Sequence, residues 1–359
     1  MSSDLSETDS SKKAPTREIS FQHSPNFPQL LDELRSSLLV STYQAGKLAV
    51  LSPSQGKLSL SFHNFDRPMG LAISPAQLAV GSRNQIWFLD STPNIAAQIP
   101  SDQKVDSCFL ARRSHMTGEI QCHEMAFAGD ELWIVNTFFS CLCTYNPRYS
   151  FVPRWRPPFI TDLAAEDRCH LNGLALLDGK PKYVSALAET NVAQGWRPNK
   201  AQTGCLIDVA SNRIVARGFA MPHSPRVHLG QVWLLDSGRG QLVCVDVESS
   251  KWQSVAAVPG YARGLALAGN LAFIGLSKIR ETSTFSGVPI AEKRDELRCG
   301  IGVIELSTGR TVATFEFTAG VEEIFDVALL PGICSPSLRG PFSVEDGHQT
   351  IWVAPNPER

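Results

Sequence analysis

A short strand pair recurs along this chain, and the recurrence constrains the fold more than any other feature. The segments IWFLDST (86–92), LWIVNTF (132–138) and VWLLDSG (232–238) share an aromatic residue, two apolar residues, Asp or Asn, then Ser or Thr. Looser copies are KYVSALAET (182–190), LAFIGLSK (271–278) and IWVAPN (351–356). Each internal copy follows a small-residue strand and a turn: MGLAIS (69–74), EMAFAGD (124–130), NGLALLDG (172–179), PRVHLG (225–230) and RGLALAG (263–269). FDVALLPG (325–332) is a sixth such strand, separated from the last copy by a long insertion. Units roughly 40–60 residues apart suit four-stranded antiparallel sheets repeated around an axis.

Strand composition agrees. The runs are short, rich in Val, Ile, Leu and aromatics, and broken by Asp-Gly, Gly-Asp and Gly-Asn turns. No long apolar pattern of helical period intervenes. The expected fold is an all-β, six-bladed β-propeller, with the N-terminal LLVSTYQAGKLAVLS (38–52) closing the last blade and removing its exposed edges. The extra copy IWVAPN leaves room for a seventh blade. Residues 1–27 read as a polar, disordered tail and 28–359 as one propeller domain.

Charge and cysteine content narrow the function classes. With 33 basic and 35 acidic residues the formal charge is −2, which points to neither nucleic acid nor an anionic membrane. The start lacks the apolar core of a secretory signal, and no apolar run is long enough to cross a bilayer. Nine cysteines without a disulfide-rich framework suit a cytoplasmic protein with reduced thiols. Expected partners are a small-molecule ligand or a peptide.

The chemistry concentrates where innermost strands begin. In a propeller these strands line the central channel, and the loops entering them share one rim. Aligning the repeats sets Glu124, Asn172, Ser224 and Arg263 at one position, with Met69 and Phe325 in the other two blades. His123 and His223 fall one residue earlier, and His170 one further out. Neutral imidazole is a common metal ligand, and ligands from separate strands leave coordination positions open. His123, His170 and His223 are therefore candidate ligands for a divalent metal, and Pro222 and Pro225 would stiffen the approach to His223. Glu124 is a candidate ligand or general base, Asn172 would orient substrate, and Arg263 or Arg226 would clamp an anion. A polar channel network that binds no metal accounts for the same residues.

Other features have plainer readings. Asn136, Thr137, Asp236 and Ser237, at the start of the second rim loop, could contact a ligand but read rather as turn caps; Glu322 and Glu323 could add carboxylates from the last blade but read rather as a solvated turn. Cys122 and Cys169 read as small buried hydrophobes. The insertion 278–299 would interrupt the fifth blade on the histidine rim, where long loops often act as lids. PRYSFVPRWRPPF (147–159) has the Arg, Trp and Tyr content of a partner hot spot, or packs over blade edges.

Together CHEMAF, CHLNGLAL, MPHSPRVH and PGYARGLAL resemble a bacterial family of conserved hypothetical proteins, domain of unknown function 4915, over nearly everything after residue 30. That resemblance implies a propeller and no established activity. More distantly, LNGLALLDGKPKYVSA resembles the strand that supplies a metal-ligand asparagine in the gluconolactonase, senescence-marker and strictosidine-synthase-like six-bladed superfamily; the match falls on Asn172. Those lactonases use oxygen-rich calcium shells, whereas this rim is rich in histidine, which shifts the expected metal towards zinc or iron and away from lactonase chemistry. No nucleotide cofactor is expected. The functional expectation is thus a small-molecule metalloenzyme, hydrolytic or oxidative, with a non-catalytic peptide-binding scaffold as the alternative.

Overall fold

In the computed structural model, which describes residues 18–99, 104–279 and 284–355, six antiparallel sheets form a ring around a channel. Blade one runs outward through Leu71–Ile73, Gln77–Gly81, Gln85–Ser91 and Ser107–Met116. Blade two uses Cys122–Ala128, Glu131–Asn136, Cys141–Asn146 and Tyr149–Trp155. Blade three comprises Leu171–Leu177, Lys180–Ala186, Gly204–Asp208 and Arg213–Phe219. Blade four comprises Pro222–His228, Gln231–Asp236, Gln241–Asp246 and Lys251–Ala257. Blade five uses Tyr261–Ala268, Leu271–Ser277, Gly300–Glu305 and Thr311–Ala319.

Blade six is composite. Its innermost strand, Asp326–Pro331, comes from the C-terminal part of the chain, and its other three, Ser36–Thr42, Lys47–Ser54 and Lys57–Asn64, come from the N-terminal part. Every residue of Ser36–Thr42 is buried, as a strand packed on both faces requires. This joint closes the ring, so unfolding either end exposes both neighbours.

Three expectations need correction. IWFLDST is the third strand of blade one, not the second; QLAVG, a short strand without an aromatic, occupies the second place. Residues 351–355 form no strand, Trp352 is largely exposed, and no seventh sheet is present among the described residues. The ordered chain also begins before residue 28. Ser20–His23 adds an outer antiparallel strand to blade five, and Phe27 at the head of helix Phe27–Glu33 is fully buried. The part of the proposed tail before residue 18 lies outside the described residues. A further strand, Pro336–Arg339, pairs in parallel with the outer edge of blade one.

The core lies between blades. Val135 and Leu142 of blade two pack with Leu171, Val184 and Cys205 of blade three, and the other blade pairs repeat the arrangement. All nine cysteines are free, and seven of them are buried. Burial pushes the Cys122 thiol far up and the Cys169 thiol to about 12, so both stay protonated hydrophobes as their setting suggests. Within 147–159, Phe151, Trp155 and Phe159 pack against the body, Trp155 donating Nε1–H to Asn212 (2.7 Å), while Tyr149 and the arginines stay exposed. No helix among the described residues is long and apolar enough to cross a membrane.

A register correction matters for the site. The first hairpins of blades two to five turn at Gly129, Asp178, Leu229 and Gly269, each in the left-handed region. Counting back equally from these residues reaches His123, Asn172, His223 and Arg263. The other two blades join the set through a repeated bond. Hydroxyls of Ser41, Thr137, Ser237 and Ser277 donate to the carbonyls of Met69, Leu171, Ala262 and Ile324 on the following blade (2.6–3.1 Å). The residue after each carbonyl is Gly70, Asn172, Arg263 or Phe325. Arg263 and Phe325 therefore share a tier with the histidines, together with Asn172, while Glu124 and Ser224 lie one tier deeper. Bulges interrupt the innermost pairing in blades two to five, within 134–136, 171–173, 223–226 and 262–265, and this irregularity defeats alignment by strand pattern alone.

Candidate functional site: a histidine-lined rim cavity

His123, His170, His223 and Arg263 line one cavity of about 610 Å³ at the channel mouth. Tyr43, Tyr261, Phe285 and Phe325 supply aromatic wall. The roof comes from the blade-five insertion, whose Phe285 meets Tyr261 edge-on at 5.0 Å between ring centroids. Glu322 and Glu323 also line the cavity, adding carboxylates from the last blade where the residue pattern favours a solvated turn, and Glu322 stays exposed.

Each histidine is held by its Nδ1. Thr137 spends its hydroxyl proton on the Leu171 carbonyl, so it accepts from His123 Nδ1–H (2.9 Å), which also faces the Gln121 carbonyl (3.0 Å). Ser237 repeats the device in blade four: it donates to the Ala262 carbonyl and accepts from His223 Nδ1–H (2.9 Å), beside the Met221 carbonyl (2.9 Å). His170 Nδ1–H instead points at both oxygens of Asp167 (2.9 and 3.0 Å). These networks assign one tautomer to the neutral form of each ring, with the lone pair on Nε2. None of the three Nε2 atoms has a hydrogen-bond partner among the described residues.

Asp167 is itself fixed. It is 4 % exposed and accepts the indole N–H of the fully buried Trp196 (3.0 Å), whose ring also lies 4.4 Å from that of His170. Asp167 and His170 both adopt left-handed backbone (φ 47° and 49°), a conformation costly for such residues and frequent at functional sites. The His123 ring meets His170 edge to face at 4.8 Å, and His223 stands against Tyr261 at 5.6 Å.

Burial holds the His123 imidazolium well out of reach, reinforced by His170 and Arg263. Burial and Arg263 do the same for His223. A histidine with a depressed folded pKa stabilises the fold above its unfolded value, near 6.5, and loses that contribution as pH falls through the depressed value. Chemical denaturation across this range should therefore show stability falling below about pH 6.5, with a shallower fall in a His123→Gln, His223→Gln double variant. Equal slopes in the two proteins would contradict the assignment of buried neutral rings.

Arg263 stacks its guanidinium 3.5 Å above the Phe325 ring and lies 3.4 Å from Glu323. Glu124 and Asn172, two of the candidate catalytic residues, do not line the cavity. Glu124 is buried beneath it, paired with Arg226, and accepts the Leu174 N–H (2.9 Å). Arg226 also donates to the Leu265 and Leu174 carbonyls, so it ties blades together rather than clamping a ligand. Asn172 donates Nδ2–H to the Pro222 carbonyl (3.0 Å), beside the Ser185 hydroxyl that donates to the same oxygen (3.2 Å), so it reinforces the link between blades three and four. Sequence reasoning missed Asp167, Trp196 and Tyr261, and favoured turn caps over a site role for Thr137 and Ser237. Thr137 and Ser237 carried a signal in equal spacing after His123 and His223; Asp167 and Trp196 carried none.

Three imidazoles with occupied Nδ1 and free Nε2 have the donor chemistry of a divalent-metal shell. Their arrangement does not: among the described residues no group of three or more His, Cys, Asp or Glu side chains is positioned to hold a metal ion. The cavity as built offers acceptors, the cations of Arg263, Lys278 and Arg294, and aromatic wall.

Fold and site together define a six-bladed β-propeller with a histidine-lined rim cavity. The chain belongs to the family described as Domain of unknown function (DUF4915), whose profile matches residues 25–338. No curated protein matches the sequence. Among solved structures, "Crystal structure of Nidogen/Laminin Complex" is similar with a TM-score of 0.50 at 9 % identity, covering 83 % of this chain and all of that one. A protein of unknown function from Bacteroides caccae is similar with a TM-score of 0.48 at 12 % identity, covering 82 % of this chain and 98 % of that one. At such identities the likeness is one of fold alone.

Proposed function

We propose that the rim cavity is the active site of a small-molecule hydrolase acting by acid–base catalysis on an ester or lactone of a hydroxylated acid. The observation that carries this reading is the Trp196–Asp167–His170 chain, which ends in a free Nε2 at a cavity that Arg263 also lines. His170 Nε2 takes the proton from water as the water oxygen bonds to the acyl carbon, and Asp167 stabilises the imidazolium formed. Arg263 faces the oxygen that gains charge. Collapse of the tetrahedral species breaks the acyl–oxygen bond, and His170 returns its proton to the departing alkoxide. His123 and His223 accept hydrogen bonds from substrate hydroxyls, and the aromatic walls cover its carbon faces. Free thiols support a reducing, cytoplasmic setting.

The test is a panel of hydroxy-acid esters and lactones assayed with the wild type, Asp167→Asn and His170→Gln. Both variants should lose at least about 100-fold in kcat with KM little changed. A turned-over substrate that both variants cleave at the wild-type rate would overturn the reading. Elemental mass spectrometry belongs beside it. Near-stoichiometric zinc or iron that disappears from a His123→Ala, His223→Ala variant would move the site to metal chemistry, the reading favoured by the three occupied Nδ1 atoms.

A further inference from the structure

We propose that a second cavity, between the outer edge of blade one and the C-terminal segment, binds a small organic anion with a carboxylate or phosphate head and an apolar body, held by Arg339 and Trp87. It has a volume of about 480 Å³ and shares no lining residue with the histidine cavity. The strand Pro336–Arg339, laid in parallel against Ser107–Met116, delivers Arg339 to it, and the following chain folds back to wall it with Phe342 and Ile351.

Two buried donors there are unpartnered. The Nε–H of Arg339 and the indole N–H of Trp87 have no acceptor among the described residues, although both atoms are cut off from bulk solvent. Buried donors are nearly always satisfied, and both of these belong to side chains that line one cavity, which points to an acceptor entering there. Arg339 spends Nη1 on the Ser337 hydroxyl (2.7 Å) and Leu338 carbonyl (3.0 Å) and has no carboxylate partner among the described residues. Burial disfavours its charge, a penalty that an anion would offset.

The surroundings set the ligand class. Arg112 and Arg113 add positive charge against a single lining carboxylate, Glu345. Arg113 is already engaged by Asp90 and Gln77, which leaves Arg112 and Arg339 for a ligand. A guanidinium fork and an indole N–H lining one cavity suit the planar or tetrahedral oxygens of a carboxylate or phosphate. Trp87, Leu110, Phe342 and Ile351 offer apolar wall to the remainder of the molecule.

The experiment is titration calorimetry of the full chain with phenyl phosphate and with benzoate, which separates the two head groups. At least one should bind, and Arg339→Gln should weaken it at least about tenfold. Trp87→Phe, which keeps the packing and deletes the N–H, should weaken it several-fold, whereas His123→Ala should leave it unchanged. If Arg339→Gln fails to fold by circular dichroism, Trp87→Phe decides alone. Binding of neither anion, or equal binding by wild type and Trp87→Phe, would overturn the proposal, as would loss of binding in His123→Ala.

Discussion

Replacing Glu124 by alanine is expected to destabilise the propeller by about 3–5 kcal/mol, the largest loss predicted for any single side chain of the channel. The residue sits one tier below the histidines, 4 % exposed, where it pairs with Arg226 and accepts the Leu174 N–H from the neighbouring blade. Truncation strands the Arg226 charge among carbonyls and removes an acceptor that crosses between blades two and three. Urea denaturation checks the figure, and a loss below about 1 kcal/mol would mean that water replaces the carboxylate freely. Glu124→Gln keeps the shape and should cost less.

The same residue sets a pH dependence opposite in sign to that of the histidines. Burial lifts the Glu124 pKa from 4.5 to about 7, against the opposing pull of Arg226. A carboxyl with a raised folded pKa contributes fully below its unfolded value and loses that contribution as pH rises through the folded one. Between 4.5 and about 7 its share of the stability therefore falls with pH, while that of His123 and His223 rises. Asp326, in the same tier, has its pKa raised by the same burial and acts in the same direction. In Glu124→Gln the histidine dependence should stand out more steeply.

Alanine at Gly173 is the second large effect. A Cβ there would run into the Pro225 ring and come within 2.8 Å of both Glu124 Oε2 and the Ser224 backbone nitrogen. Neither the proline ring nor that nitrogen belongs to a flexible side chain, and displacing Glu124 breaks its bond to Leu174. The cost expected is about 3 kcal/mol, the upper end for forcing a group into a packed interior. Gly302 is the control, because a Cβ there would meet only Leu276 Cδ1 at 3.5 Å. Gly302→Ala should be neutral or stabilising by up to about 1 kcal/mol, through the entropy of the unfolded chain. If both variants melt together, the contact at Gly173 does not constrain the channel.

These two residues show where reading the chain stops. Alternating apolar strands and glycine turns are local, so the repeat, the six blades and the N-terminal closure of the last were legible from residue order. The placing of His123, His170 and His223 on one rim followed from that repeat. Tier and direction were not legible, because bulges in blades two to five shift the inner strands by amounts that no residue pattern encodes. Hence Glu124 reads as a ligand but lies below the cavity, and Glu323 reads as a solvated turn but faces Arg263.

The sequence by itself determined the all-β repeat, its ring closure and the histidine-bearing rim, because each depends on periodicity and turn chemistry within a few neighbouring residues. Only the tertiary structure decided that Asp167 and Trp196 stand behind His170, that hydroxyls just past the second strands fix His123 and His223, and that Arg339 and Trp87 line one cavity at the edge of blade one. Those contacts join residues from separate loops and blades, and their partners are chosen by packing in three dimensions rather than by spacing along the chain.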